Sequence, residues 1–193
     1  IPTTDERLVQ TFDEALEGSH AIGYPVALKV CSPHIMHKTE QGMVHLDITD
    51  DDALNRAFSS VREKDSGSPL LVSEMLKGDR EFMAGMSYFP GFPPCIMFGL
   101  GGIFTEALKD NAIRLAPLGH REALEMMESL SSHVLLGPYR RMVPVDKDAL
   151  ASVLVNLGHV AIHFPQIKEI DLNPIIIVNG KPKVADALFV MET

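Results

Sequence analysis

The sequence predicts a mixed α+β chain. Helix-period segments lie near the N-terminus and in the C-terminal half, and between them runs a strand-rich middle punctuated by glycine and proline. Apolar residues make up 46% and charged residues 22% of the 193 positions, which suits a packed core and excludes a disordered tail, a coiled coil or a collagen-like chain. That length accommodates one large domain or two small lobes. Lys and Arg number 17 against 26 Asp and Glu, for a net charge of −9. An acidic surface argues against general nucleic-acid binding, where neutralising phosphates dominates affinity, but it leaves room for a local basic pocket. No apolar run approaches the ~20 residues of a membrane span, and no basic segment precedes an apolar one as in a signal peptide. The chain opens on Ile1-Pro2-Thr3 and reads as part of something longer.

Thr3-Thr4-Asp5-Glu6 offers hydroxyls and acids where a helix start needs acceptors, and Leu8, Phe12, Ala15 and Leu16 recur at helical spacing up to Gly18. A strand is predicted over Tyr24 to Val30, a polar loop from His34 to Gly42 and a second strand from Met43 to Ile48. Thr49-Asp50-Asp51-Asp52 caps a helix bearing Leu54, Ala57, Phe58 and Val61. Leu70 to Met75, Glu81 to Tyr88 and Cys95 to Leu100 read as strands, and Gly99-Leu100-Gly101-Gly102 as a tight turn. Helices follow near His120 to Leu130 and Asp146 to His163, and three short strands from Ile167 to Val190. Cys31 and Cys95 sit in apolar runs outside any CxxC pair and read as reduced core thiols. No internal repeat stands out.

The last segment makes a geometric prediction. Asn179-Gly180 separates two apolar arms, and Asn-Gly is the strongest two-residue hairpin signal because both turn positions take positive φ. With a two-residue turn, Val178 faces Lys181 and Asn173 faces Asp186, as a non-hydrogen-bonded pair with Cα atoms about 4.5 Å apart. Asp171 shares the face of Asn173, and Leu172 points into the core. The three oxygen-bearing side chains suit a hard cation such as Mg²⁺, although a solvated polar face is the alternative on these residues alone. Pro174 cannot donate to the ladder, and a longer turn would shift the register.

The phosphate-binding signals are less local. Neither GxxxxGK[ST] nor a helix-opening GxGxxG is present. Lys29 lies in an apolar strand, where an ammonium needs a carboxylate or phosphate partner unless it reaches solvent at the strand end. In the loop His37-Lys38-Thr39-Glu40-Gln41-Gly42, side chains and free backbone N–H groups could cover a phosphate chain. His37 could also act as a nucleophile, or be an exposed loop histidine. The remaining histidines share no ligand spacing.

VALKVCSPHIMHKTEQGMV resembles the strand-loop-strand of the nucleotide-binding subunit of ADP-forming acyl-CoA synthetases. SEMLKGDREFMAGM, MFGLGGIFTEALKD, AIRLAPL and EIDLNPIII…VADALFV are similar to that family's later blocks, in the same order and over nearly the whole chain. The resemblance implies an ATP-grasp fold in which two α+β lobes hold ATP, the smaller over approximately 20–100 and the larger built from 1–19 and 101–193. It implies that Lys29 contacts ATP phosphate, with Lys38 in the covering loop. Glu74, Met75 and Leu76 form the hinge that meets the adenine edge, and Glu81 lies beside the nucleotide. Arg114 contacts phosphate or a domain partner, and Asn173 and Asp186 hold Mg²⁺. His37 matches a second phosphoryl carrier, and Asp171 an acid that steadies a phosphohistidine.

The implied reaction is acyl-CoA + ADP + phosphate ⇌ carboxylic acid + CoA + ATP. It needs a CoA-binding, phosphohistidine-bearing subunit or fused domains, giving a hetero-oligomer or a homo-oligomer of a fused chain in the cytoplasm, without nucleic acid or membrane. Two departures stand out: Gly42-Met43 replaces two adjacent glycines, and His34 stands where the family commonly has an acid. Similar domains fused to lysine acetyltransferases imply an alternative ligand-sensing role, but intact Lys29, His37, Asp171, Asn173 and Asp186 argue against degeneration. A succinyl- or malate-CoA ligase subunit is disfavoured because those relatives do not use the loop histidine.

Overall fold

The computed structural model describes residues 1–32, 42–102 and 108–192. Their packing divides the chain into two units, Thr4–Met75 and Ile1–Thr3 with Leu76–Thr193.

The smaller unit contains β1 (Glu6–Val9), α1 (Phe12–Ile22), β2 (Val26–Val30), β3 (Val44–Ile48), α2 (Asp51–Lys64) and β4 (Leu70–Glu74). Its four strands run in the order β1-β4-β2-β3, all antiparallel. No helix starts at Thr3 to Glu6; β1 begins at Glu6 instead. The capping chemistry recurs at Thr11 and Glu14, where the Glu14 carboxylate accepts from the backbone N–H groups of Gln10 and Thr11, and the Thr11 hydroxyl accepts from the Glu14 amide. Those backbone bonds hold the Glu14 carboxyl below its usual range. α1 therefore runs past the expected stop at Gly18, whose absent side chain lets Arg7 approach, and ends at Gly23 with φ of 94°. Asp50 caps α2 by accepting from the Ala53 amide at 2.8 Å. Val26, Leu28, Val30, Leu54, Ala57, Val61, Leu70 and Val72 form the core, and Met43 joins it.

The larger unit is a six-stranded antiparallel sheet carrying helices on one face. Its strands are β5 (Glu81–Ser87), β6 (Cys95–Leu100), β7 (Asn111–Leu115), β8 (Ile167–Val178), β9 (Lys181–Val184) and β10 (Ala187–Met191). The order is β10-β8-β5-β6-β7, with β9 also paired to β8. The helices are α3 (His120–Glu128) and α4 (Lys147–His163), with a 3₁₀ turn over His133–Leu136. β5 and β6 were expected in the smaller lobe; their ladders with β8 and β7 put them in this sheet, just as pairing with β4 puts β1 in the other.

Period-2 alternation sends Phe82, Ala84 and Met86 of β5, Ile96 and Phe98 of β6, and Ile170 and Leu172 of β8 into one core with Met126, Leu150 and Leu154. Phe82 and Phe98 stack with ring centroids 5.4 Å apart, and both are fully buried. Phe82→Ala is expected to cost about 3–5 kcal/mol through the cavity it leaves. Urea titration of the larger unit's transition checks this through a lower midpoint at unchanged slope.

Neither cysteine is a core thiol. Cys31 is exposed one residue past the end of β2, and Cys95 is half-buried on the sheet face that carries no helix. No helix among the described residues is long and apolar enough to cross a membrane.

Candidate functional site

The face of the larger sheet that carries no helix holds the polar residues. On β8, Leu172 is buried while its neighbours Asp171 and Asn173 are half-buried and exposed. The hairpin has the expected register: Asn179 and Gly180 have φ of 50° and 84°, and Val178 pairs with Lys181, Ile176 with Lys183 and Ile175 with Val184. The same register resumes with Leu172 opposite Ala187 and Asp171 opposite Leu188, so Asn173 lies across from Asp186.

One detail differs. The Asn173–Asp186 pair was expected to be non-hydrogen-bonded, yet the Asn173 amide donates to the Asp186 carbonyl at 3.2 Å. The Ala185 amide also donates to the Pro174 carbonyl at 3.0 Å, so two successive pairs are bonded. Strict alternation lapses at Pro174, which has no N–H to give to the ladder.

Asp171 pairs with Gly85, which has no side chain to fill the space above the strand. A cavity of about 230 Å³ opens there, lined by Gly85, Met97, Ile113, Glu169 and Asp171 among others. Burial, then the nearby Glu169 and Asp186 carboxylates, push the Asp171 carboxyl above its usual range. Among the described residues, no three His, Cys, Asp or Glu side chains converge closely enough to hold a metal ion by themselves. The donors opposite one another, the Asn173 amide oxygen and the Asp186 carboxylate, are hard oxygen ligands; a Mg²⁺ ion held by two such groups completes its shell with water and phosphate oxygens.

A second cavity, of about 450 Å³, lies at the start of β5, with Arg80, Glu81, Leu100, Gly101, Gly102, Leu135, Tyr139 and Met142 on its walls. The Gly101 amide donates to the Glu81 carbonyl at 2.8 Å. A Cβ on Gly101 would come within 2.7 Å of the Phe82 carbonyl oxygen, so only glycine allows this close approach beside Glu81.

In the smaller unit, Lys29 is only 7% exposed. Its Nζ lies 3.8 Å from Glu6, whose carboxylate also accepts from the Thr4 hydroxyl at 2.8 Å. Glu6 reaches Lys29 because β1 and β2 flank β4: Leu8 and Lys29 both pair with Leu71, and Glu6 shares the face of Leu8. Glu74 ends β4, where its backbone amide donates to the Asp5 carbonyl and its carboxylate accepts from the Asp5 amide. The Met75 amide donates to the Pro25 carbonyl, and the chain passes from one unit to the other at Met75–Leu76.

Arg114 does not join the Asp171 cluster. It pairs with Ile96 and so occupies the opposite, helix-bearing side of the sheet, at the edge strand β7, where it donates to the Ile113 carbonyl. His37 and Lys38 lie outside the described residues, as does His34. Two residues that the sequence reading passed over are Glu6, hidden in the supposed helix start, and Arg80, whose only signal was a charge two positions before buried Phe82.

Residues 1–191 match the family model described as an ATP-grasp domain. The chain belongs to the ATP-grasp family. This ATP-grasp chain is 36% identical over 198 residues to acetate–CoA ligase [ADP-forming] I subunit beta of Pyrococcus furiosus, covering 99% of this chain and 85% of that protein. It is also 36% identical over 191 residues to acetate–CoA ligase [ADP-forming] I of Archaeoglobus fulgidus, covering 95% of this chain but 28% of that longer protein. Among solved structures, one of the dinucleotide forming acetyl-coenzyme A synthetase 1 of Ca. Korarchaeum cryptofilum superposes with a TM-score of 0.88 at 34% identity, covering 100% of this chain and 86% of that one. It is a complex with coenzyme A and Mg-AMPPCP, with its phosphohistidine segment pointing towards the nucleotide binding site. The expected α+β ATP-grasp architecture is thus present.

Proposed function

We propose that this chain is the nucleotide-binding component of a cytoplasmic ADP-forming acid–CoA ligase, converting acyl-CoA, ADP and phosphate reversibly into carboxylic acid, CoA and ATP with a CoA-binding partner subunit or fused domains. The observation that carries this reading is the β8–β9–β10 register, with Asn173 opposite Asp186 and Asp171 close enough to feel the Asp186 charge. Similarity to the ligase subunits over nearly the whole chain supports it.

In this reading a ring nitrogen of neutral His37 attacks the phosphorus of a phosphohistidine on the partner. The new N–P bond forms as the partner's N–P bond breaks, which returns the electron pair to the partner's imidazole. A β-phosphate oxygen of ADP then attacks the same phosphorus, and the bond to His37 breaks as the phosphoanhydride of ATP forms. Little covalent chemistry is left for the rest of the site beyond positioning and charge stabilisation. Asp171 orients the imidazole and stabilises the positive charge it acquires on phosphorylation. Lys29 and Lys38 serve as cations for the nucleotide phosphates. Glu81 lies beside the nucleotide in the 450 Å³ cavity, and Glu74, Met75 and Leu76 present backbone groups to the base. Asn173 and Asp186 hold Mg²⁺, which supplies charge neutralisation on the phosphate oxygens. Arg114, on the sheet's other side, serves a domain partner.

Calorimetry with Mg-ADP tests the reading. The wild-type chain binds, and Asp186→Ala weakens that binding about tenfold or more while leaving metal-free ADP affinity nearly unchanged. Undiminished metal-dependent affinity in the variant removes Asp186 from the site.

A further inference from the structure

Arg80 is 6% exposed, and among the described residues no carboxylate pairs with it. Its Nη1 donates to the carbonyls of Leu135 at 2.7 Å and Gly137 at 3.2 Å, and its Nη2 donates to the carbonyl of Val143. Its Nε is buried without a partner among the described residues. A guanidinium withdrawn from water and held only by carbonyl dipoles is costly, and it persists where its fork fits a fixed set of acceptors.

Those acceptors lie in one loop and in the 3₁₀ turn that leads into it. The chain leaves the core at Leu136, returns at Val145, and is closed at its base by the Val145 amide donating to the Leu136 carbonyl at 3.0 Å. Leu135 and Gly137 lie on the outgoing arm and Val143 on the returning arm, so the guanidinium bridges the two. Between them the Met142 amide donates to the Tyr139 carbonyl at 3.0 Å. This is a compact loop with close ends, filled by one side chain from elsewhere in the chain. The backbone of Arg80 is itself fixed, since its carbonyl accepts from the Ile177 amide of β8 at 3.0 Å. Tyr139 and Met142 of the loop, with Leu135 before it, line the cavity that Glu81 borders.

We propose that Arg80 is a positioning residue for nucleotide binding: its guanidinium, held by carbonyls of the Gly137–Pro144 loop and of Leu135 before it, fixes that loop as a wall of the cavity that Arg80 itself also borders. The inference rests on the reading of the cavity as part of the nucleotide site. Methionine at this position keeps much of the apolar stem but leaves three part-buried carbonyls without their donor, and the wall loosens. Lysine keeps a charge and a donor but lacks the planar fork.

The test is steady-state kinetics of ATP formation by the complex with its CoA-binding partner. Arg80→Met raises the nucleotide KM about tenfold or more while kcat stays within about twofold, and Arg80→Lys recovers part of the loss. Unchanged KM in both variants, or a lowered thermal midpoint with no change in KM, overturns the proposal. Should the variants fail to fold, the wild-type chain still decides: Mg-ADP slows amide hydrogen exchange across Tyr139–Met142, and unaltered exchange there overturns the proposal. A wild-type chain that does not bind Mg-ADP at all defeats the nucleotide-site reading itself, an outcome distinct from wild-type binding that the Arg80 variants leave intact.

Discussion

Replacing His37 with alanine abolishes phosphoryl relay, lowering ATP formation by at least about 10³-fold, while Mg-nucleotide binding stays nearly unchanged. The two effects separate because the imidazole acts on the phosphoryl group in flight, whereas Lys29 on β2, Glu81 on β5 and Asn173 on β8 are among the groups proposed to hold the nucleotide at rest. The decisive measurement supplies wild type and variant with the phosphorylated partner and follows label into the chain and then into ADP. Wild type passes through a labelled, acid-labile intermediate and the variant does not. Equal transfer by the variant rejects His37 as carrier, and loss of nucleotide affinity in parallel reassigns it to binding.

Asp171→Asn is expected to slow the same relay by about 10²–10⁴-fold, the range found when an orienting carboxylate is taken from a reacting histidine. Asparagine keeps the shape and a hydrogen-bonding oxygen but cannot offset the charge of a phosphorylated imidazole. The same change should raise the thermal midpoint of the nucleotide-free chain. Asp171 is half-buried beside Glu169 and Asp186, so its removal relieves both like-charge repulsion and the desolvation of one carboxylate. A site residue that costs stability while serving activity is the ordinary trade-off at functional positions. Rapid-quench phosphotransfer and a thermal scan read the two effects separately: undiminished transfer removes the orienting role, and a lowered midpoint removes the charge-crowding account.

What was legible in the sequence was what local rules decide. Asn179-Gly180 dictated the turn, the turn dictated the pairing, and the pairing brought Asn173 opposite Asp186, all within one short stretch of chain. The helix at Asp50 announced itself by its cap, and the one beginning after Asp146 lies where it was expected. What was not legible depended on partners distant in sequence. Arg114 could be assigned a sheet face only once β7 was registered against β6. Lys29 plainly needed an anion, but that Glu6 lies near it follows from both of their strands flanking β4. Arg80 is held by backbone carbonyls more than fifty positions away, and backbone acceptors leave no mark on composition. At Thr3 to Glu6 the local rule itself misled, because the same capping residue types recur at Thr11 and Glu14, where the helix actually begins. For Cys31 the error was of one residue, since the apolar run that suggested burial ends at Val30.

The Asn179–Gly180 hairpin also sets what lengths the C-terminal ribbon tolerates. Alternate residues on its arms look to opposite sides, so one residue inserted into either arm and kept in the ladder turns Asp186 away from Asp171 and toward Leu172 and the helices behind it. The same residue added at the bend can bulge outward and leave both arms in step. The proposed metal ligands thus obey an odd–even rule: parity of the arms, more than the chemistry of the intervening side chains, decides whether the two oxygens meet.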